Sequence, residues 1–197
     1  MATLHDSQTV ESTPAAKGPK PVTRESIRQR LINEKLVVII RVTDPTDIPP
    51  IIACMHDAGV GAVEITSNTP GYQNAITQAR AHYPNMLVGA GTITDIALVD
   101  EATKAKADIV KLFPAGAMGT GYLKDLAKGP FLNTIFFPVG GINEHNFEQW
   151  MQSGAAGIGI GGALASPVKS EEEANALTAK VRAIVVTLKN YPLGEAQ

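Results

Sequence analysis

The sequence has little cysteine, few aromatic residues, little net charge and no long apolar run. Cys54 is the only cysteine among 197 residues, which excludes an intramolecular disulfide framework and any zinc site built from cysteines. The net charge of -2 argues against the basic surface that nucleic-acid-binding proteins need. No apolar run approaches the roughly 20 residues of a membrane-spanning helix. We therefore expect a cytoplasmic protein with no nucleic-acid partner and no membrane contact.

The first 22 residues differ in composition from the rest of the chain. They are rich in Ser, Thr, Pro and Ala and lack the apolar core of a signal peptide. We interpret residues 1–22 as a disordered N-terminal tail and residues 23–197 as a single domain. Within that domain, 18 glycines and 13 prolines with only 5% aromatic residues indicate many tight turns, as in an α/β protein.

Strand-like and helix-like patterns alternate six times along this domain. Short runs of apolar, often β-branched residues are typical of parallel strands covered on both faces. The predicted strands are 36–40, 62–66, 86–92, 108–113, 134–139 and 157–161. The predicted helices are one that Thr23 caps, one between Pro49 and Gly59, and 70–83, 94–106, 122–127, 144–153 and 170–189.

Two architectures fit this alternation: an open doubly wound sheet and a closed barrel. No GxGxxG follows the first strand, which disfavours a dinucleotide-binding fold. Polar residues, among them Arg41, Thr66 and Lys111, lie in or at the ends of strands, where barrel enzymes build their sites. A barrel of about 250 residues uses about 30 for each βα unit, so this chain is about two units short.

Lys111 and Glu64 are the strongest candidates for chemistry, because each interrupts an apolar strand. Lys111 either lies on an edge strand with its ammonium group in water, or is kept dry so that its amine can attack a carbonyl. Glu64 either forms a salt bridge with a neighbouring strand, for instance with Arg41, or acts as a general acid/base. Two titratable groups in covered strands are costly to keep unless they have a function.

Other residues carry weaker signals. The pairs Gly140–Gly141 and Gly161–Gly162 follow the last two strands, where they form either simple turns or a phosphate site. Thr92 either binds a substrate hydroxyl or caps the next helix. Cys54 and Trp150 are interpreted as packing residues. The histidines are interpreted as surface residues with no metal-ligand spacing: His5, His56, His82 and His145.

Four segments together resemble one enzyme family. VEIT at 63–66, VGAGT at 88–92, VKLFPA at 110–115 and PVGGI at 138–142 are similar, in order and context, to class I aldolases of the 2-keto-3-deoxy-6-phosphogluconate / 4-hydroxy-2-oxoglutarate type. The resemblance extends from about residue 27 to residue 165. It implies a (β/α)8 TIM barrel, a homotrimer and a small keto-acid substrate, with no metal and no cofactor.

The resemblance also implies roles for individual residues. Lys111 matches the lysine that forms the Schiff base, and Glu64 matches the acid/base. Arg41 matches a basic group near the acidic end of the substrate, Thr92 a site threonine, and Phe113 an aromatic residue that shapes the pocket. The glycine pairs match the phosphate loops: Gly140, Gly141, Gly161 and Gly162.

The chain departs from the family pattern at three residues and in its length. Asn68 replaces an arginine, Val139 a threonine and Ala163 a serine, which affects substrate choice more than reaction type. Two βα units are missing before the lysine strand, with the join near residues 105–107. Six strands cannot close with the tilt and shear of eight. We therefore expect two unpaired edges and a wetter, less nucleophilic Lys111.

Two functions follow as expectations. The first is a lyase that cleaves 2-keto-3-deoxy-6-phosphogluconate, 4-hydroxy-2-oxoglutarate or both to pyruvate and an aldehyde. The second is a catalytically impaired relative that acts only as an oligomeric or assembly subunit, because exposed sheet edges favour strand exchange between chains.

Overall fold

A computed structural model of the chain describes residues 23–91, 109–128 and 135–192. Several predicted features lie outside these residues: the tail 1–22, Thr92, the helix 94–106 and the join near 105–107.

Six strands lie within the described residues, at the positions that the apolar runs predict. They are β1 (Leu36–Ile40), β2 (Ala62–Thr66), β3 (Leu87–Gly91), β4 (Ile109–Leu112), β5 (Ile135–Pro138) and β6 (Ile158–Ile160). Every pair of hydrogen-bonded neighbours is parallel. The α/β fold predicted from the alternating pattern is confirmed.

The described helices alternate with most of the strands along the chain, beginning with a helix before β1. They are α1 (Arg24–Glu34), α2 (Ile48–Asp57), α3 (Tyr72–His82), α4 (Ala115–Lys128), α5 (Phe147–Gln152) and α6 (Glu171–Lys189), with a one-turn 3-10 helix (Pro45–Asp47) before α2. Thr23 caps α1, since its side chain accepts a hydrogen bond from the backbone N–H of Ser26. Ser170 caps α6 in the same way, through the N–H of Glu173.

Two predicted helix boundaries are wrong. α4 begins at Ala115 instead of residue 122, and it contains a kink where Gly119 adopts φ 79° and ψ 163°. Glycine can adopt this conformation because it has no Cβ. α5 is shorter than the predicted 144–153, since residues 144–146 form a turn before Phe147.

The strands arrange as two arms of one curved sheet. The order β3-β2-β1-β6 forms one arm and β4-β5 the other. A parallel bridge between Val139 and Gly159 and a hydrogen bond from the N–H of Ala156 to the carbonyl of Phe136 at 3.1 Å join the arms. In the part of the chain that the structure describes, β3 pairs only with β2 and β4 only with β5. This is the shortened barrel that the sequence predicts, and among the described residues it has one open edge at β3 and another at β4.

The core lies between the outer face of the sheet and the helices. Its strand residues include Ile40, Ile65 and Ile160, which are completely buried. Cys54 and Trp150 belong to this cluster at 5% and 3% exposure, so their predicted packing roles are confirmed. The three described histidines are exposed, as predicted: His56, His82 and His145. None of the helices within the described residues is both long and apolar enough to cross a lipid bilayer.

Candidate active site

Glu64 and Lys111 meet in the interior of the curved sheet. The Nζ atom of Lys111 donates a hydrogen bond to Oε2 of Glu64 at 2.6 Å. Glu64 lies in the middle of β2 and Lys111 in β4, and neither strand is adjacent to the other in the sheet. The two side chains therefore reach each other across the concave face, because alternate strand residues point to the same side.

Solvent reaches the two partners unequally. The side chain of Glu64 is 14% exposed and that of Lys111 is 43% exposed. Glu64 does form a salt bridge, but with a non-adjacent strand rather than with a neighbour. In the described portion of the sheet, Lys111 lies on an edge strand and is partly exposed, as one interpretation of the sequence predicts; the other interpretation, a lysine kept dry, is not met by this exposure. The arrangement places a nucleophile and a proton acceptor within one hydrogen bond.

Gly91 makes room for the carboxylate, and the sequence analysis missed this role. A Cβ atom built on Gly91 overlaps the Cδ and Oε1 atoms of Glu64. Gly91 ends β3 beside Thr66 of β2. The VGAGT segment contains this glycine directly before Thr92, which is the residue of the segment that the sequence predicts at the site.

Glycines also shape the wall that β6 contributes. A Cβ at Gly159 would lie 2.7 Å from Cγ2 of Val139 and 3.2 Å from Cδ1 of Ile39. A Cβ at Gly157 would overlap the ring of Phe137. Because Gly157 and Gly159 have no side chains, the larger side chains of Ile39, Phe137 and Val139 can fill the interior, as small barrels require.

Most remaining candidate residues lie together at the carboxyl ends of the strands. Arg41 follows β1 directly and is exposed. Phe113 follows β4, is 66% exposed and lies against Gly140, at which a Cβ would stand 2.8 Å from the ring. Gly161 and Gly162 follow β6. The structure therefore brings the described candidates to one rim.

The loop after β5 has the backbone shape of a tight turn. Gly140 and Gly141 have φ values of 90° and 77°, which favour glycine. The backbone N–H of Gly116 donates to the carbonyl of Gly140 at 2.8 Å, and the Asn146 amide donates to the carbonyl of Gly141 at 2.8 Å. These bonds hold the turn next to the start of α4.

A buried lysine lies at the opposite end of the strands from the rim. Lys35 precedes β1, is 5% exposed, and donates from Nζ to the carbonyl of Tyr191 at 2.9 Å. Burial lowers the pKa of Lys35 from its ordinary value. No carboxylate is paired with it among the described residues, so Lys35 lacks the proton acceptor that Lys111 has.

A cavity of about 540 Å³ adjoins the Lys111–Glu64 pair. It is lined mainly by apolar residues of β1, β2, β3, β4 and β5, together with α1 and Arg80 of α3. Within the described ranges, no three His, Cys, Asp or Glu side chains come together in a group that could hold a metal ion. The chemistry that the described site offers is that of an amine beside a carboxylate.

Comparison with known proteins identifies the same family that the four sequence segments resemble. The sequence model of a family described as "Aldolase: KDPG and KHG aldolase" matches residues 27–110 and 107–181. The two matched segments meet next to the predicted join at residues 105–107. Together the two segments cover most of the chain from residue 27 to residue 181.

Two curated relatives align with this chain at lower coverage of the chain than of their own length. The chain is 27% identical over 171 residues to 2-dehydro-3-deoxy-6-phosphogalactonate aldolase of Escherichia coli (strain K12), covering 66% of this chain and 83% of that protein. It is 24% identical over 170 residues to 2-dehydro-3-deoxy-phosphogluconate aldolase of Haemophilus influenzae (strain ATCC 51907 / DSM 11121 / KW20 / Rd), covering 66% and 80%. Since 66% of 197 residues is about 130, the alignments contain positions that this chain lacks.

A solved structure described as native KDPGal has a similar fold. It superposes with a TM-score of 0.66 at 25% sequence identity, covering 77% of this chain and 96% of that chain. The six strands and their helices thus correspond to a substantial part of a barrel of this type.

Proposed function

Because the chain belongs to the KDPG and KHG aldolase family, we propose that it is a class I aldolase with Lys111 as its Schiff-base residue. Its substrate is 2-keto-3-deoxy-6-phosphogluconate, 4-hydroxy-2-oxoglutarate or both. The products are pyruvate and an aldehyde. The observation that carries the proposal is the 2.6 Å hydrogen bond between the amine of Lys111 and the carboxylate of Glu64.

The first half of the reaction needs a free amine. An ammonium group cannot attack a carbonyl, and the contact with Glu64 gives its proton a place to go. The neutral Nζ of Lys111 adds to C2 of the keto acid. Glu64 returns the proton to the departing hydroxyl, so that water leaves, a protonated imine forms and Glu64 is again a carboxylate. The imine then withdraws electrons from the C3–C4 bond.

The second half needs an acid/base at C4 and then at C3. Glu64 accepts the proton of the C4 hydroxyl, directly or through a water, as the C3–C4 bond breaks and the aldehyde departs. The electron pair of that bond forms the enamine of pyruvate. Glu64 returns the proton to C3, and water hydrolyses the imine to release pyruvate and the free lysine.

The residues at the rim are proposed to hold the rest of the substrate. Arg41, Phe113 and the two glycine pairs lie at the carboxyl ends of the strands, on the same rim, and Thr92 is assigned there by resemblance alone. Backbone N–H groups in glycine turns can bind phosphate oxygens. The two curated relatives are named for phosphorylated sugar acids, which supports a phosphorylated substrate here.

Val139 affects the choice of substrate. It lies beside Gly159 in the interior and is 8% exposed, so it offers no hydroxyl to a carboxylate there. Asn68 and Ala163 are exposed and lack the charge and hydroxyl that the family pattern has at those positions. Compared with family members that have arginine, threonine and serine at these positions, we expect this chain to bind the keto-acid and phosphate groups more weakly and therefore to have a higher KM.

Borohydride trapping tests the lysine directly. The protein is incubated with pyruvate, reduced with sodium borohydride and digested, and the peptide containing residue 111 is analysed by mass spectrometry. We expect a reduced pyruvate adduct on Lys111, none in Lys111→Met, and an unchanged adduct in the matched control Lys124→Met on α4. Unmodified Lys111 in the wild-type protein would refute the mechanism.

A second candidate function is favoured by two observations. The side chain of Lys111 is 43% exposed, and β3 and β4 have no outer partner among the described residues. We infer that a chain with these open edges forms a homo-oligomer, and a trimer by resemblance. If steady-state pyruvate release is absent while light scattering shows a stable oligomer, the role of an assembly subunit is the better description.

A further inference from the structure

The cavity beside the Lys111–Glu64 pair extends toward the amino ends of the strands. Its wall includes Val37, Ala62 and Ile109, which lie at or next to the first residues of β1, β2 and β4. The rim residues Arg41 and Phe113 do not line it. The cavity is therefore on the side of the pair that faces away from the proposed substrate rim.

Most of the cavity wall is apolar. Val37, Leu87 and Phe137 contribute side chains from three strands, and Leu31 contributes one from α1. Gly89 of β3 leaves open space, because a Cβ built there has no heavy atom within 4 Å. In an eight-stranded barrel, side chains fill such an interior. Here the volume of about 540 Å³ lies in the range of small-molecule sites.

Two arginines belong to the cavity wall, and the contact of Arg30 with Asn85, which precedes β3, places Arg30 near the amino ends of the strands. Arg30 of α1 and Arg80 of α3 both line it. Arg30 is held in place because its Nη2 donates to the carbonyl of Asn85 at 2.6 Å. Arg80 is exposed on α3. Glu34, one turn along α1 from Arg30, places its carboxylate against Gly61.

The two ends of the cavity therefore differ in charge. At the inner end, the opposite charges of Lys111 and Glu64 compensate each other. At the outer end, two guanidinium groups favour an anion, and their planar N–H groups match the geometry of a carboxylate. Between the ends, the wall favours a hydrocarbon chain.

We propose that this cavity binds a small amphipathic monocarboxylate, with its hydrocarbon chain among the apolar side chains and its carboxylate at Arg30 and Arg80. The Lys111–Glu64 pair forms the inner end of this site, which extends from the pair toward the amino ends of the strands, whereas the rest of the aldolase substrate is assigned to the opposite rim. The ligand is therefore distinct from the polar keto acid that reacts at Lys111.

Calorimetric titration of the full chain with butanoate, hexanoate and octanoate tests the site. Burial of a methylene group stabilises binding by about 0.8 kcal/mol, so each added methylene should tighten Kd about fourfold until the cavity is full. Hexan-1-ol, which has as many carbon atoms as hexanoate but no charge, should bind more weakly. Equal affinities across the series would overturn the proposal.

Two variants separate the charged end from the apolar wall. Arg80→Gln changes an exposed helix residue and should weaken octanoate binding about tenfold, with little effect on hexan-1-ol. Gly89→Leu fills the open space on β3 and should abolish binding of both probes. Gly121→Leu is the matched control, because a Cβ at Gly121 also meets open space but lies on α4 outside the cavity.

Failure of this proposal is distinguishable from failure of the aldolase proposal. Wild-type protein that traps pyruvate at Lys111 but binds no alkanoate refutes only the cavity site. Protein that binds octanoate with the predicted dependence on Arg80 and Gly89, but traps no pyruvate, refutes only the Schiff base. Alkanoate binding that neither variant weakens would place the ligand elsewhere and overturn the inference.

Discussion

Replacing Gly91 by alanine should disable the proposed acid/base without removing it. A methyl group at Gly91 overlaps the Cδ and Oε1 atoms of Glu64, so the carboxylate must move. The overlapping atoms are the far end of a flexible side chain, which can rotate without displacing the backbone. The fold should therefore persist, while the 2.6 Å bond to Lys111 is broken.

The size of the effect follows from the role assigned to Glu64. A positioned general acid/base contributes about 10²–10⁴-fold to a rate. This range corresponds to about 2.7–5.4 kcal/mol of transition-state stabilisation at 1.36 kcal/mol per decade. Since Gly91→Ala leaves the carboxylate in the protein but out of reach, we expect kcat to fall within this range. KM should change much less, because the rim residues are untouched.

The assay is pyruvate release coupled to lactate dehydrogenase, with circular dichroism to verify the fold. Gly121→Ala is the control, since a Cβ at Gly121 has no heavy atom within 4 Å and this residue is remote from the pair. If Gly91→Ala melts at the wild-type temperature and keeps kcat within about threefold of wild type, well under the 10²-fold minimum, Glu64 is not the proton shuttle. The reasoning from the overlap is then wrong.

Three further predictions concern stability. The hydrogen bond from Lys180 holds the pKa of Glu144 below its ordinary value; Glu144→Gln should therefore lower the free energy of unfolding by up to about 1 kcal/mol at neutral pH, and this difference should vanish as acid protonates Glu144 in the wild type. Burial lowers the pKa of Lys35 from its ordinary value of 10.5. The free energy of unfolding of the wild type, relative to that of Lys35→Met, should therefore rise with pH between the lowered pKa and 10.5. Urea titrations at several pH values measure this difference. Ile65 is fully buried; Ile65→Ala should cost about 2–5 kcal/mol in chemical denaturation, whereas Val186→Ala, at a residue 56% exposed, should cost less than about 0.5 kcal/mol.

The strands were predictable because local sequence determines them. The run at 36–40 is apolar at all five positions, and β1 has these bounds. Thr23 and Ser170 precede helical patterns and cap α1 and α6. The start of α4 was not predictable in this way, because Gly116, Gly119 and Gly121 weaken its helical pattern while tertiary packing completes it.

The candidate site was only partly predictable. The burial cost of Glu64 and Lys111 indicated a special role, but their contact depends on how two separate arms of the sheet curve toward each other. The role of Gly91 depends on the rotamer of Glu64. Arg30 and Arg80 occupy ordinary surface positions of helices, so no local pattern connects them with a cavity.

The two arms that carry the site are joined at the short junction between β5 and β6, where Val139 bridges Gly159 and the backbone N–H of Ala156 donates to the carbonyl of Phe136. Glu64 belongs to one arm and Lys111 to the other, so any bending at that joint lengthens the gap between amine and carboxylate. Local opening needs less free energy than complete unfolding. Heating should therefore break the contact between Lys111 and Glu64 before either arm unfolds. A ligand that contacts both arms should raise the temperature at which this contact is lost.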